Sequence, residues 1–192
     1  VSLVVASDPA FVAYVAQTIF NLENGEEADI ASIADLLLER KQQYGFDVAF
    51  IVSASGEQIA RSDQSMSAPR DLAFEPLMQK AIQQLLPVSG YWSDQQDIYQ
   101  AAVVPLSRGR NLVGFLVTGL IVNDQLSNDI AKLTGTDVVI LAEENQQFSS
   151  IGSTFDLDNS SYLIEKLNEQ NNIVNGEQFN LTVNDLNLAN QV

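Results

Sequence analysis

Apolar positions recur at helical spacing through the first quarter of the chain and then give way to strand-like runs. Phe11, Tyr14, Val15, Thr18, Ile19 and Leu22 form one stripe, started by Asp8-Pro9 as a capping acid followed by a first-turn proline. Asn24-Gly25 interrupts the pattern, which resumes at Ile30, Ile33, Ala34, Leu37 and Leu38 and stops at Gly45. Two helices, or one long helix bent at Gly25, fit this spacing equally. From there β-branched and aromatic runs predict strands over 46–52 and 57–61, joined through Ser53-Ala54-Ser55-Gly56. Residues 74–86 predict a helix with Leu77, Met78, Ala81, Ile82 and Leu85 inward, and 88–93 a short strand. After a turn at 94–97, the runs 98–106 and 112–122 predict a long hairpin.

The last third repeats the order in shorter form. Asn123 or Asp124 is placed to cap a helix carrying Leu126, Ile130 and Leu133, ended by Gly135. Strands are predicted at 137–142 and 147–151, then a helix over 160–169 capped by Asp158 or Asn159, then weak strands around Ile173 and 179–183. The expected division is a helical segment 1–45, an α+β module 46–135 and a smaller or truncated second module 136–192.

Charge and composition narrow the chemistry. Lys and Arg number 9 against 25 Asp and Glu, a net charge of −16 that repels phosphate backbones and excludes nucleic acid as a natural partner. With no cysteine, disulfides and thiolate metal sites are excluded; with no histidine, the commonest general base and every Ser-His or Cys-His catalytic set go too. Asp156, Asp158 and Asn159 lack the central glycine and terminal glutamate of a calcium loop. The pairs Glu26-Glu27 and Glu143-Glu144 read as solvated faces, so no catalytic residue, metal or cofactor is expected. No run approaches the roughly 20 apolar residues of a membrane span, the longest being 114–122, broken by Thr118 and Gly119.

The order helix, two strands, short helix and three-stranded antiparallel return resembles the PAS-like Cache family of extracytoplasmic sensor domains, most closely the double-Cache type. The segments that carry the resemblance are Phe50-Ile51-Val52-Ser53-Ala54-Ser55-Gly56-Glu57-Gln58-Ile59-Ala60-Arg61, Ala101-Ala102-Val103-Val104-Pro105-Leu106 and Val113-Gly114-Phe115-Leu116-Val117-Thr118-Gly119. The resemblance implies a periplasmic ligand-binding domain of an inner-membrane signalling protein, a chemoreceptor, histidine kinase or diguanylate cyclase or phosphodiesterase. Flanking transmembrane helices and a cytoplasmic output domain are then expected outside Val1–Val192, whose opening Val1-Ser2-Leu3-Val4-Val5-Ala6 reads as cut from something longer. A carboxylate-based hydrolase and a structural dimerisation module are the competing classes.

Strand alternation puts Phe46, Val48, Phe50 and Val52 on one face and Ala49 and Ile51 on the other. One face is expected to carry the N-terminal helices and the other a pocket for a small molecule, an amino acid or carboxylate. Candidate ligand-binding residues are Arg61, Tyr91, Trp92, Asp97 and Tyr99. Arg61 suits bidentate capture of a carboxylate, or equally pairs with Asp63 or Asp71. Tyr91-Trp92 offers a flat wall, or ordinary strand packing. Tyr99 and Gln100 point to opposite faces, and Tyr99 is preferred as the inward one. The first module is expected to enclose the ligand because the second is too short for a comparable cavity, and the stripe Phe11, Val15, Ile19 and Leu22 is expected to support a homodimer.

Overall fold

The computed structural model describes residues 1–63, 70–94 and 97–169. Its N-terminal part holds α1 (Ser2–Ala6), α2 (Pro9–Glu23) and α3 (Ile30–Tyr44). Asp8 caps α2 by accepting from the Ala10 and Phe11 amides, and Asp29 caps α3 through the Ser32 amide. Each helix therefore has its own start, and the chain breaks between them at Gly25, where φ is 70°. Of the two arrangements the spacing allowed, the structure takes two helices.

Five strands follow: β1 (Val48–Ser53), β2 (Gln58–Arg61), β3 (Val88–Asp94), β4 (Asp97–Arg108) and β5 (Asn111–Ile121). They form one antiparallel sheet in the order β2-β1-β5-β4-β3. A single helix, α4 (Pro76–Gln84), lies between β2 and β3 in sequence. It is shorter than predicted, because Leu85 turns into the left-handed region at φ 52° and ends it. Leu85 is therefore exposed rather than inward, as are Phe74 and Leu86 at the ends of the predicted span.

The sheet separates two apolar layers. Ile51, Leu106 and Leu116 face Val15, Ile33 and Leu37 of α2 and α3. Phe50, Val52, Val103 and Phe115 face Leu72, Met78 and Ala81 on the α4 side. Full burial of each such Leu, Ile or Phe is worth about 1.5–3 kcal/mol, so this two-sided packing, more than helix propensity, holds the helices in place. Phe46 precedes β1 and packs with the helix-side layer, so it does not share the face of Val48, Phe50 and Val52 as alternation had placed it. Phe11, Val15 and Ile19 of the stripe are buried within the protomer and Leu22 is half-buried, while Phe20 is the large apolar side chain that α2 exposes.

At the centre of the sheet a Cβ on Gly114 would stand 2.3 Å from the Val52 carbonyl oxygen of the neighbouring strand. Gly114→Ala is expected to force β1 and β5 apart and to cost about 1–3 kcal/mol or more. Thermal denaturation reads this directly, and an unchanged midpoint would show that the strand pair tolerates the added methyl.

The chain divides into two compact units, 1–121 and 122–192. The second contains α5 (Asp124–Thr134), β6 (Val139–Glu144), β7 (Gln147–Ser153) and α6 (Leu157–Glu169), with β6 and β7 paired antiparallel. Asn123 caps α5 through the Leu126 amide, and Asp124 accepts from the Ser153 amide at 2.9 Å. The Asp124 bond ties α5 to β7 within the second unit. Leu133, near the end of this helix, is exposed. α6 begins three residues before the predicted 160, because Asp156 rather than Asp158 or Asn159 caps it, accepting from the Asn159 amide at 2.8 Å. The strands predicted around 173 and 179–183 lie outside the described residues.

Candidate functional site

On the sheet face away from α2 and α3, alternation along β3 turns Val88, Trp92 and Asp94 inward and Ser89, Tyr91 and Ser93 outward. Trp92 pairs directly across β3–β4 with Tyr99, and Phe50 of β1 meets the Trp92 ring edge-on at a centroid distance of 5.5 Å. Val48 and Val117 complete the apolar wall, while Ala101 and Gly119, opposite each other on β4 and β5, are too small to fill the space between the rings. What remains is a cavity of about 10 Å3 with Asp94 at its polar end, room for roughly one water.

The polar end is a buried charge network. Arg61, 6% exposed, lies opposite Phe50 on β2 and sets its guanidinium over that ring at 5.4 Å. Its Nη1 donates to Asp94 Oδ2 at 2.5 Å, while Nε and Nη2 donate to the two oxygens of Asp63 at 2.5 and 3.0 Å. Arg70 Nη1 donates to the other oxygen of Asp94, which is 4% exposed, and Arg70 Nη2 stands 4.0 Å from Glu75. Burial opposes ionisation of Asp94, but the hydrogen bonds from Arg70 and Arg61 outweigh it and hold the carboxyl below its usual range. Burial likewise works against the Arg61 charge, and the bonds to Asp63 and Asp94 prevail, raising its pKa.

Tyr99 is buried, and its hydroxyl donates to Asp97 Oδ2 at 3.2 Å on the exposed rim. Burial, reinforced by the Asp97 charge, pushes the Tyr99 hydroxyl up to about 12 from 10.0. The folded state thus favours the neutral phenol, a contribution complete below pH 10 and lost as pH rises through about 12. Spectrophotometric titration should show one tyrosine ionising near pH 12 that is missing from Tyr99→Phe; identical titration curves would place the shifted group elsewhere.

Of the sequence candidates, the structure brings Arg61, Trp92 and Tyr99 together, with Asp97 at the rim through Tyr99. Tyr91 is not among them: the alternation that turns Trp92 inward leaves Tyr91 73% exposed. Arg61 pairs with Asp63 and not Asp71, whose carboxylate caps the Ala73 amide instead. Two members were missed. Asp94 had been read as a turn residue, although it lies two positions after Trp92 and so shares its face once β3 is extended by one residue. Arg70 lies between the strand predicted over 57–61 and the helix predicted over 74–86, where no periodic signal marks it.

In the second unit, β7 and α6 border an open groove of about 810 Å3 that includes Phe148, Phe155, Ser160 and Glu165. It is larger than the cavity at Trp92, though much less enclosed. Among the described residues no group of three or more Asp or Glu is placed to hold a metal ion, and no helix is long and apolar enough to cross a membrane.

A five-stranded antiparallel sheet in this order, helices on one face and a small cavity closed by aromatic rings on the other, defines a PAS-like sensory module of the Cache type. The chain belongs to the dCache_3 family, the double sensory domain of two-component sensor kinase, whose profile matches residues 9–184. Among solved structures it is similar to the sensor domain of the histidine kinase DctB from V. cholerae, with a TM-score of 0.60 and 12% identity over 80% of this chain and 57% of that one. It is also similar to the ligand-binding domain of the Campylobacter jejuni chemoreceptor Tlp3 in complex with L-norvaline, with a TM-score of 0.54 and 15% identity over 76% of this chain and 58% of that one. The chain thus spans less than two thirds of either. No curated protein sequence matches it significantly.

Proposed function

We propose that the chain is the extracytoplasmic ligand-sensing part of a transmembrane signal-transduction protein, and that it takes a small molecule at Trp92, Tyr99, Arg61 and Asp94 in the first unit. The output partner would be a histidine kinase, chemoreceptor or cyclic-dinucleotide enzyme reached through membrane helices. One observation carries this reading: a buried ion pair, Arg61 with Asp94, adjoins an aromatic-walled cavity that Asp94 helps to line, on the sheet face that the N-terminal helices do not cover. A core needs no such arrangement, since apolar side chains of similar volume commonly serve at least as well as a buried pair. Membership of a sensory family supports it, and the amino-acid complex of the Tlp3 domain supports a small molecule as the stimulus.

The hydrolase alternative is poorly served by this geometry. The cavity wall contains one carboxylate, Asp94, which two guanidiniums hold ionised; a general acid requires the opposite shift.

A thermal-shift screen over amino acids, carboxylates and amines tests the proposal. A ligand at 100 times its dissociation constant stabilises by about 2.7 kcal/mol, which for a chain of this size raises the midpoint by about 5–10 °C. A hit whose shift is unaffected by substitution at Trp92 would move the site out of this cavity.

A further inference from the structure

We propose that the site at Trp92 is built for an organic cation, a protonated or quaternary amine, rather than for a carboxylate. This rests on the sensory reading above and names the ligand class for the same cavity.

The argument starts from the state of Arg61. Three of the five N–H donors of Arg61 go to Asp63 or Asp94, and the Nε/Nη2 edge that would clamp a carboxylate side-on is filled by Asp63. A carboxylate ligand would have to displace one of them, leaving a second anion in the same confined place. Asp63, Asp94 and Glu75 meet Arg61 and Arg70, and Asp97 stands at the rim, so carboxylates outnumber guanidiniums around the cavity. The whole chain, at −16, adds to the same field.

The walls point the same way. Phe50, Trp92 and Tyr99 present three aromatic rings around one small space, and rings of this kind attract cations through their faces. The protein already shows the interaction, with the Arg61 guanidinium over Phe50 at 5.4 Å and bonded to Asp94. Arg61 is 6% exposed and fixed, whereas the other cation on Asp94, Arg70, has a side chain 44% exposed. An incoming ammonium that takes the place of Arg70 on Asp94 exchanges one positive charge for another and leaves no buried ion unpaired. The cavity now holds no more than about one water, so the ammonium ligand also has to part its walls.

Trp92 is the single tryptophan of the chain, so intrinsic fluorescence reports on the cavity wall. Titration with n-butylammonium, with tetramethylammonium and with butyrate, the carboxylate of similar length, at matched ionic strength separates charge from shape. A saturable fluorescence change is expected with at least one of the two cations, with butyrate at least tenfold weaker. Arg70→Gln, which leaves Asp94 its bond from Arg61, should tighten cation binding about tenfold by removing the internal competitor. Saturation by butyrate in preference to both cations overturns the cation class while leaving the sensory cavity standing. Absence of saturation by either cation in both wild type and Arg70→Gln also overturns it; the sensory reading then stands or falls on the wider thermal-shift screen.

Discussion

Asp94→Ala is expected to lower the stability of the first unit by about 3–5 kcal/mol, the usual cost of removing one partner of a buried ion pair. Arg61, left with Asp63 alone, keeps part of its compensation, which places the value toward the lower end. Against a total of about 5–15 kcal/mol for an ordinary domain, that is a large fraction. Arg61→Met combined with Asp94→Leu should recover most of the loss, because the charge left stranded in the single variant is then gone and both replacements are apolar and bulky. Urea denaturation of Arg61→Met, Asp94→Leu and the double variant closes the cycle. Equal losses in the single and the double variants would mean that Asp94 stabilises by packing, not by pairing.

The same network sets an acid limit. The carboxyl of Asp94 is held below its usual range in the folded protein, so the unfolded chain takes up the proton first as pH falls. Its contribution is complete above the ordinary aspartate value of about 4 and is lost as pH drops further toward the depressed folded value. Stability measured from pH 6 down to pH 3 should therefore fall more steeply in wild type than in Asp94→Ala. Parallel curves would assign the acid sensitivity to other carboxylates.

Most of the first unit was legible because its physics is local and periodic. Stripes at Phe11 to Leu22 and Ile30 to Leu38 mark helices whose caps, Asp8 and Asp29, stand in the sequence next to them. The hairpin of β4 and β5 announces itself through β-branched runs on either side of Gly109. What could not be read is where period two leads across the sheet. Trp92 and Asp94 share a face, but Arg61 and Asp94 come from strands at opposite edges of the sheet, over thirty positions apart along the chain, and meet across its face only once the sheet is folded. Arg70 is positioned by neither helix nor strand periodicity. The choice of Asp97 over Asp94 rests on one boundary, the end of β3, since a one-residue extension of that strand changes which acid faces the cavity; Tyr91 is turned out by the alternation that turns Trp92 in.

Trp92→Ala is expected to abolish the thermal shift produced by a ligand that wild type binds. Trp92 pairs with Tyr99 across the strands and meets Phe50 edge-on, so its removal takes away one of the three rings that enclose the cavity. It is also 4% exposed, and truncating a buried tryptophan costs about 3–5 kcal/mol, so the fold itself will be weakened. A matched control separates the two effects. Leu72 is 1% exposed, belongs to the same apolar layer and does not line the cavity; Leu72→Ala should cost a comparable 2–5 kcal/mol, about what such truncations cost in cores. The expected pair of results is a lowered midpoint in both variants, with the ligand-induced rise retained by Leu72→Ala and absent from Trp92→Ala. If both variants keep the rise, the ligand binds elsewhere in the chain and the groove along β7 and α6 becomes the next place to look; if both lose it, loosening of the whole α4-side layer, and not the tryptophan ring, accounts for the loss.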